Sequence, residues 1–428
     1  MFAPLMSLSS PRLLIEPSDY VLRNIGDLAM LCCATERLSA AMPSALLQVL
    51  TWEADFATLC PVGEPLWADG RNIWLKLLPK PIARAVPPAV SVGLRLAACS
   101  WVLPMLRKRK GRGGRIAAKI ESFLDAARSA DALIVTGMGG ITDFFPDYAY
   151  ELLETMSLAL RLGRRVFMVG QAIGPLSDRH LRSRAAAVLP KVELIGVREK
   201  RASVPLLQAL GVSSEQIVVT GDDAVELGHG LRAADLGNGI GFNLRIADYA
   251  AVSGAHIRQV AEALRCEADL RGVAIVPLPV SAQQGDADAK SVCDAMPELA
   301  GRLEHAKTIQ SPRALVEQMR GCRVVVVGSY HAAVFALSQG IPAIGLASSS
   351  YYVDKFAGLQ DMFGEGSTWV DLNQAHPAKV LRQSLERLWD DADLLRPGLL
   401  AATEAQIASG KALYRRMADM LTSAEANA

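Results

Sequence analysis

Residues 324–347 read VVVVGSYHAAVFALSQGIPAIGLA. The run is apolar enough to be mistaken for a membrane span. Ser329, His331 and Gln339 lie inside it, however, and Gly340-Ile341-Pro342 breaks it. The better reading is a strand over 324–327, a helix over about 332–339 and a second strand over 343–346. Neither strand alternates polar with apolar residues. Both are therefore expected to be buried on two faces, in a parallel sheet whose crossover is the helix. His331 then falls at the carboxyl end of the first strand, where open parallel sheets bind their ligands.

The same alternation extends in both directions. Towards the N-terminus, strands are predicted at 13–15, 46–50, 133–135, 166–169, 194–197 and 217–219. Helices are predicted near 28–42, 148–162, 178–189 and 202–210. A polar, glycine-rich passage at 228–239 interrupts the pattern. It restarts with a strand at 239–244, a helix at 253–271, a strand at 273–278 and a short helix at 314–320. The last helices, near 377–389 and 397–421, open with Pro377 and Pro397, which suit a first helical position. They are expected to pack back across both halves. The predicted class is α/β, with two Rossmann-like domains whose parallel sheets face a cleft: residues 1–230 and 231–428. Between the second and third strands, about 56–114, the first domain carries an insertion read as irregular. It contains Trp67, Trp74 and Trp101 and ends in the basic run Arg107-Lys108-Arg109-Lys110-Gly111-Arg112. Two readings stand for it. One is an insertion packed on the first domain, ending in a solvated loop. The other is contact with an anionic membrane surface.

Composition narrows the function classes. Of 428 residues, 51% are apolar and 21% charged, which excludes disorder for most of the chain. Lys and Arg number 45 against 44 Asp and Glu, so a nucleic-acid binder is not expected. The seven cysteines form no CxxC pair and no zinc spacing, which fits a reduced, cytoplasmic protein. No secretory signal is read in the first ten residues. Arg95 and several prolines argue against a true span at 85–106.

Several motifs fall at predicted strand ends. Gly137-Met138-Gly139-Gly140 allows close backbone approach to a ligand, although it is not the GxGxxG of a dinucleotide site. Gly170-Gln171-Ala172-Ile173-Gly174-Pro175 fixes a turn, with Gln171 as a donor and acceptor. Arg198 can fork onto a carboxylate or phosphate. Thr220-Gly221-Asp222-Asp223 closes the first half. In the second half, Arg245, Tyr330-His331 and Lys355 occupy comparable places.

In order along the chain, these motifs resemble the polysaccharide pyruvyl transferase family. The set begins with Asn24-Ile25-Gly26-Asp27 and runs through the motifs above to Phe335-Ala336, Gly340-Ile341-Pro342 and Asp354-Lys355. The resemblance implies a glycosyltransferase-B-like pair of domains. It implies transfer of pyruvate from phosphoenolpyruvate to a saccharide, usually as a ketal, in cell-surface or exopolysaccharide synthesis. No metal or redox cofactor is implied. The acceptor is a saccharide or a lipid-linked saccharide, met in the cytoplasm or at the inner membrane face.

On this reading His331 is the general acid, and Asp143, with Asp222 or Asp223, orients or deprotonates acceptor hydroxyls. Arg198, Arg245 and Lys355 hold the anionic donor, and Gly139, Gly140, Gln171 and Tyr330 complete the binding site. One departure stands out. Ser329 occupies the place, two residues before the histidine, where the family usually has arginine. Arg323 lies at the wrong end of its strand to substitute, whereas Arg201 or another loop arginine is a candidate. The competing readings are a nucleotide-sugar glycosyltransferase of the same architecture and a relative that has lost catalysis.

Overall fold

The structure is a computed structural model and describes residues 10–109, 111–244, 250–280, 288–299 and 311–425. Eight strands form the first sheet: β1 (Arg12–Glu16), β2 (Leu46–Thr51), β3 (Glu64–Trp67), β4 (Ala132–Val135), β5 (Met138–Ile141), β6 (Arg165–Ile173), β7 (Leu194–Val197) and β8 (Ile217–Val219). Their order is β3-β2-β1-β4-β6-β7-β8, with β5 beside the end of β6. The second sheet comprises β9 (Gly239–Asn243), β10 (Ile275–Pro277), β11 (Cys322–Val327), β12 (Ala343–Ala347) and β13 (Ser367–Asp371), in the order β10-β9-β11-β12-β13. All the pairings are parallel.

The valine run behaves as its lack of alternation requires. Val325, Val326 and Val327 sit opposite Ala343, Ile344 and Gly345, and all four valines of β11 are buried. One face packs with Phe335, Leu337 and Leu315, the other with Leu264, Leu381 and Leu385. The crossover helix Tyr330–Ser338 is buried along its whole length. Residues that follow β1, β7, β11 and β12 line one cleft, so the carboxyl ends of both sheets open onto it.

The segment read as irregular is mostly helical. It holds the edge strand β3 and the helices Phe56–Leu59, Asp69–Lys76, Lys80–Ala85 and Pro88–Lys108, and the helix Arg112–Ser129 follows. Its prolines caused the misreading. Pro81 and Pro88 sit in first turns, where a missing N–H is no loss, so they start helices instead of breaking them. The tryptophans divide: Trp74 is fully buried against Phe123, whereas Trp67 and Trp101 are exposed. The helix Ser350–Phe363 and the strand β13 were also not foreseen.

The last helix, Ala392–Glu425, crosses between the halves. Leu399 joins the second core, while Leu413, Tyr414, Met417 and Leu421 pack with Leu13, Ile15, Leu28 and Leu31 of the first.

Candidate active site

The cleft between the sheets is built from the helix starts and loops that follow β1, β4, β6, β7, β8, β11 and β12. Two hollows, of about 1010 and 960 Å³, share Arg198, Tyr330, Tyr351 and Lys355 as a common wall. Asn24, Asp27, Gly139, Gly140 and His331 line the first; the 174–177 loop, Arg182 and Glu199 line the second.

His331 stands in the first turn of Tyr330–Ser338, 8% exposed. Its ring lies against the first turn of helix Ile25–Ala41 from the other domain. Asn24 caps that helix, its side-chain oxygen accepting from the N–H groups of Gly26 (3.0 Å) and Asp27 (3.3 Å). Gly26 is required there, because a Cβ would lie 2.1 Å from the imidazole Cγ and Nδ1. The Ile25 N–H also donates to the Val280 carbonyl at 3.0 Å, joining the halves at the base of the cleft. The early Asn24–Asp27 motif thus seats the histidine.

Asp222 reaches the same point from β8. Its Oδ2 is 3.7 Å from His331 Nε2 and 3.2 Å from Arg198 Nε. Burial raises the Asp222 pKa above the usual carboxylate value, and Arg198 draws it back down. Burial also works against the charge on Arg198, but Asp222, Tyr330, Asp27 and Tyr351 together more than restore it, so that pKa stands above the ordinary one. Arg198 is further fixed by donating to the Gly170 carbonyl at 2.6 Å and by lying over the Tyr330 ring, 5.3 Å from its centre. Burial also raises the Tyr330 phenol, and Asp222 adds to that shift.

Lys355 enters from the helix Ser350–Phe363, its Nζ 4.0 Å from the Tyr351 ring centre and 5.7 Å from those of Tyr330 and Tyr352. Gly139 faces it: a Cβ there would stand 3.2 Å from the Tyr351 hydroxyl and 3.6 Å from Lys355 Nζ. Gly140 instead makes room for Tyr148, another cleft residue. His331, Arg198, Tyr330, Lys355, Gly139 and Gly140 are therefore brought together around the cleft.

Two expected residues are not. Gln171 is fully buried, and its amide donates to the carbonyls of Thr136 and Val169 (both 2.8 Å) and Val135 (3.2 Å), tying β4 to β6. Its amide thus clamps the two strands, and it lines neither hollow. Asp143 lines neither hollow. Its carboxylate accepts from the N–H groups of Ser177 and Asp178, so it holds the 174–178 loop. Arg245 lies outside the described residues.

The loop arginine proposed to replace the one missing at Ser329 is also redirected. Arg201 is forked onto Asp361 across the domains, both bonds 2.8 Å. Arg323 bonds Trp389 and Asp393 away from the cleft. Arg182, which no sequence motif singled out, lines the second hollow. Glu199 of the Arg198-Glu199 pair accepts from the N–H groups of Ala202 and Ser203 and so starts the next helix. Among the described residues no cluster of His, Cys, Asp or Glu gathers as metal ligands.

A sequence model of the polysaccharide pyruvyl transferase family matches residues 24–350, about three-quarters of the chain. A search of curated proteins gives no match. Solved structures share the architecture at low identity. A Listeria monocytogenes protein described as a UDP-N-acetylglucosamine 2-epimerase is 12% identical with a TM-score of 0.54, covering 94% of this chain and 93% of its own. The UDP-N-acetylglucosamine 2-epimerase of Neisseria meningitidis is 10% identical with a TM-score of 0.53, over 95% and 99%. A UDP-glucosyltransferase from Polygonum tinctorium is 13% identical with a TM-score of 0.52, over 96% and 98%. At such identities the likeness is one of fold, the two-domain glycosyltransferase-B type.

Proposed function

The chain belongs to the polysaccharide pyruvyl transferase family, and from that premise we propose that it transfers pyruvate from phosphoenolpyruvate to a pair of hydroxyls on a saccharide, forming a ketal. The observation that carries the reading is the meeting of His331, Asp222 and Arg198 at one point of the cleft, with Lys355 in the same wall.

Phosphoenolpyruvate presents a carboxylate and a phosphate, and the reading places them against Arg198, Lys355 and Arg182. The His331 imidazolium gives a proton to the enol methylene. Positive charge then develops at C2, the carbon bearing the phosphate oxygen. A first sugar hydroxyl forms a bond to C2 and its proton returns to the imidazole. Phosphate leaves with the C2–O electron pair. The second hydroxyl closes the ketal, and its proton departs with inorganic phosphate. Asp222 faces the imidazole, its carboxylate 3.7 Å from Nε2, on the side from which the proton is given and returned. This differs from the role that the sequence offered to Asp143 with Asp222 or Asp223, which was to orient or deprotonate acceptor hydroxyls.

The test is thermal stability with phosphoenolpyruvate, UDP and GDP in parallel, followed by phosphate release with saccharide acceptors. At a hundred times its dissociation constant a donor stabilises the fold by about 2.7 kcal/mol. Stabilisation by phosphoenolpyruvate alone is expected. In His331→Ala, phosphate release should fall by roughly a hundredfold or more while the melting temperature holds, because the lost step is proton transfer. A response to UDP or GDP without phosphoenolpyruvate would transfer the chain to nucleotide-sugar chemistry.

A further inference from the structure

The helix Pro88–Lys108 has two faces. Ser91, Val92, Arg95 and Cys99 are buried on the domain side. Arg95 donates to the Leu75 carbonyl at 3.1 Å and pairs with Glu154, which Arg184 also grips. The opposite face carries Val90 (48% exposed), Leu94 (44%), Trp101 (76%) and Met105 (59%). Their spacing of four, seven and four places them on one stripe. Most of the helix is not buried, which is unlike a core helix.

The charge around that stripe is one-sided. Between Asp69 and Glu121 the chain has no acidic residue and twelve Lys or Arg; among the described residues six of these pair with carboxylates from outside that segment or at its ends, and the excess lies in the cations that do not. Lys108, Arg109, Arg112 and Arg115 follow the stripe as exposed residues. Among the described residues none of these four makes an ion pair, the nearby Glu121 being taken by Arg107.

We propose that the outer face of Pro88–Lys108 is an in-plane docking surface for an anionic lipid bilayer, with Leu94, Trp101 and Met105 entering the headgroup boundary and the basic residues meeting lipid phosphates. Apolar anchors beside Lys and Arg are the composition that holds amphipathic helices in that plane. The helix does not cross the membrane, because crossing would strip Arg95 from Glu154 and strand both charges. A second copy of the chain is the poorer occupant, since a symmetric contact would set one basic cluster against another. The inference rests on this surface alone and stands apart from the reaction in the cleft.

The experiment is flotation of the full chain with vesicles of phosphatidylcholine, with and without phosphatidylglycerol. Binding to the phosphatidylglycerol vesicles is expected, weakening as salt is raised. Trp101→Asp should weaken it by roughly tenfold or more. Combining Lys108→Gln, Arg109→Gln and Arg112→Gln should weaken it by about a hundredfold, near fivefold for each charge removed. Both variants alter exposed positions, and an unchanged melting temperature would show them folded. The proposal is overturned if the folded parent binds neither vesicle, or if neither variant changes binding. It is also overturned if light scattering finds a dimer that Trp101→Asp dissolves, which would assign the face to self-association.

Discussion

Asp222 sits where burial and a cation pull its carboxyl in opposite directions, and burial prevails. The consequence for stability has a definite sign. A carboxyl whose pKa is raised by folding binds its proton more tightly when folded. Its contribution is full below its ordinary value, near 3.8, and is lost as pH rises through the raised folded value. Asp222→Asn lacks that titration. The unfolding free energy of the parent minus that of the variant should therefore fall as pH climbs from below 3.8, then level off. Urea unfolding across that range would show it; a difference that grew with pH would mean a lowered pKa. At this scale the sequence located His331, Arg198 and Lys355, because each follows a recognisable strand or its connecting turn. It could not separate Asp143 and Gln171 from them. A polar side chain in a strand-end loop reads alike whether it faces the cleft or caps the backbone behind it.

The loops after β5 and β6 support each other. Asp143 holds the N–H groups of Ser177 and Asp178, and its own N–H donates to the Pro175 carbonyl at 2.9 Å. Asp143→Ala should lower stability by about 1 kcal/mol, the worth of a capping carboxylate, and leave pyruvyl transfer within a few-fold. A loss of a hundredfold in turnover at unchanged stability would return it to catalysis. Sheet-forming segments were legible as β-branched runs, and helices as amphipathic spans. The 56–114 insertion was not, since its prolines and glycines count as breakers locally, while packing by Trp74 and the Arg95–Glu154 pair decides what forms. Strand β13 escaped for a related reason: its run Ser367-Thr368-Trp369-Val370-Asp371 is half polar and becomes a strand by pairing with β12.

The whole molecule is closed by its last helix. Leu413 lies on β7, where a Cβ on Gly196 would come within 2.5 Å of it. Tyr414 donates to Asp223 at 2.8 Å, and Asp223 is held by Arg37 of the first helix. Leu413→Ala should cost about 2–5 kcal/mol in the unfolding of the first domain, although the residue belongs to the far end of the chain. Leu394→Ala, 80% exposed on the same helix, should stay within about 0.5 kcal/mol. Urea titrations of both variants would distinguish a docked helix from a loosely attached one. By itself the sequence determined two parallel sheets and the strand ends that line the cleft, because periodicity and strand-end position are local properties. Only the tertiary structure decided which side chains meet. The seating of His331 on Gly26, the approach of Asp222 to both His331 and Arg198, and the diversion of Asp143, Gln171 and Arg201 to structural tasks depend on contacts between segments far apart in the chain, and no local pattern encodes those distances.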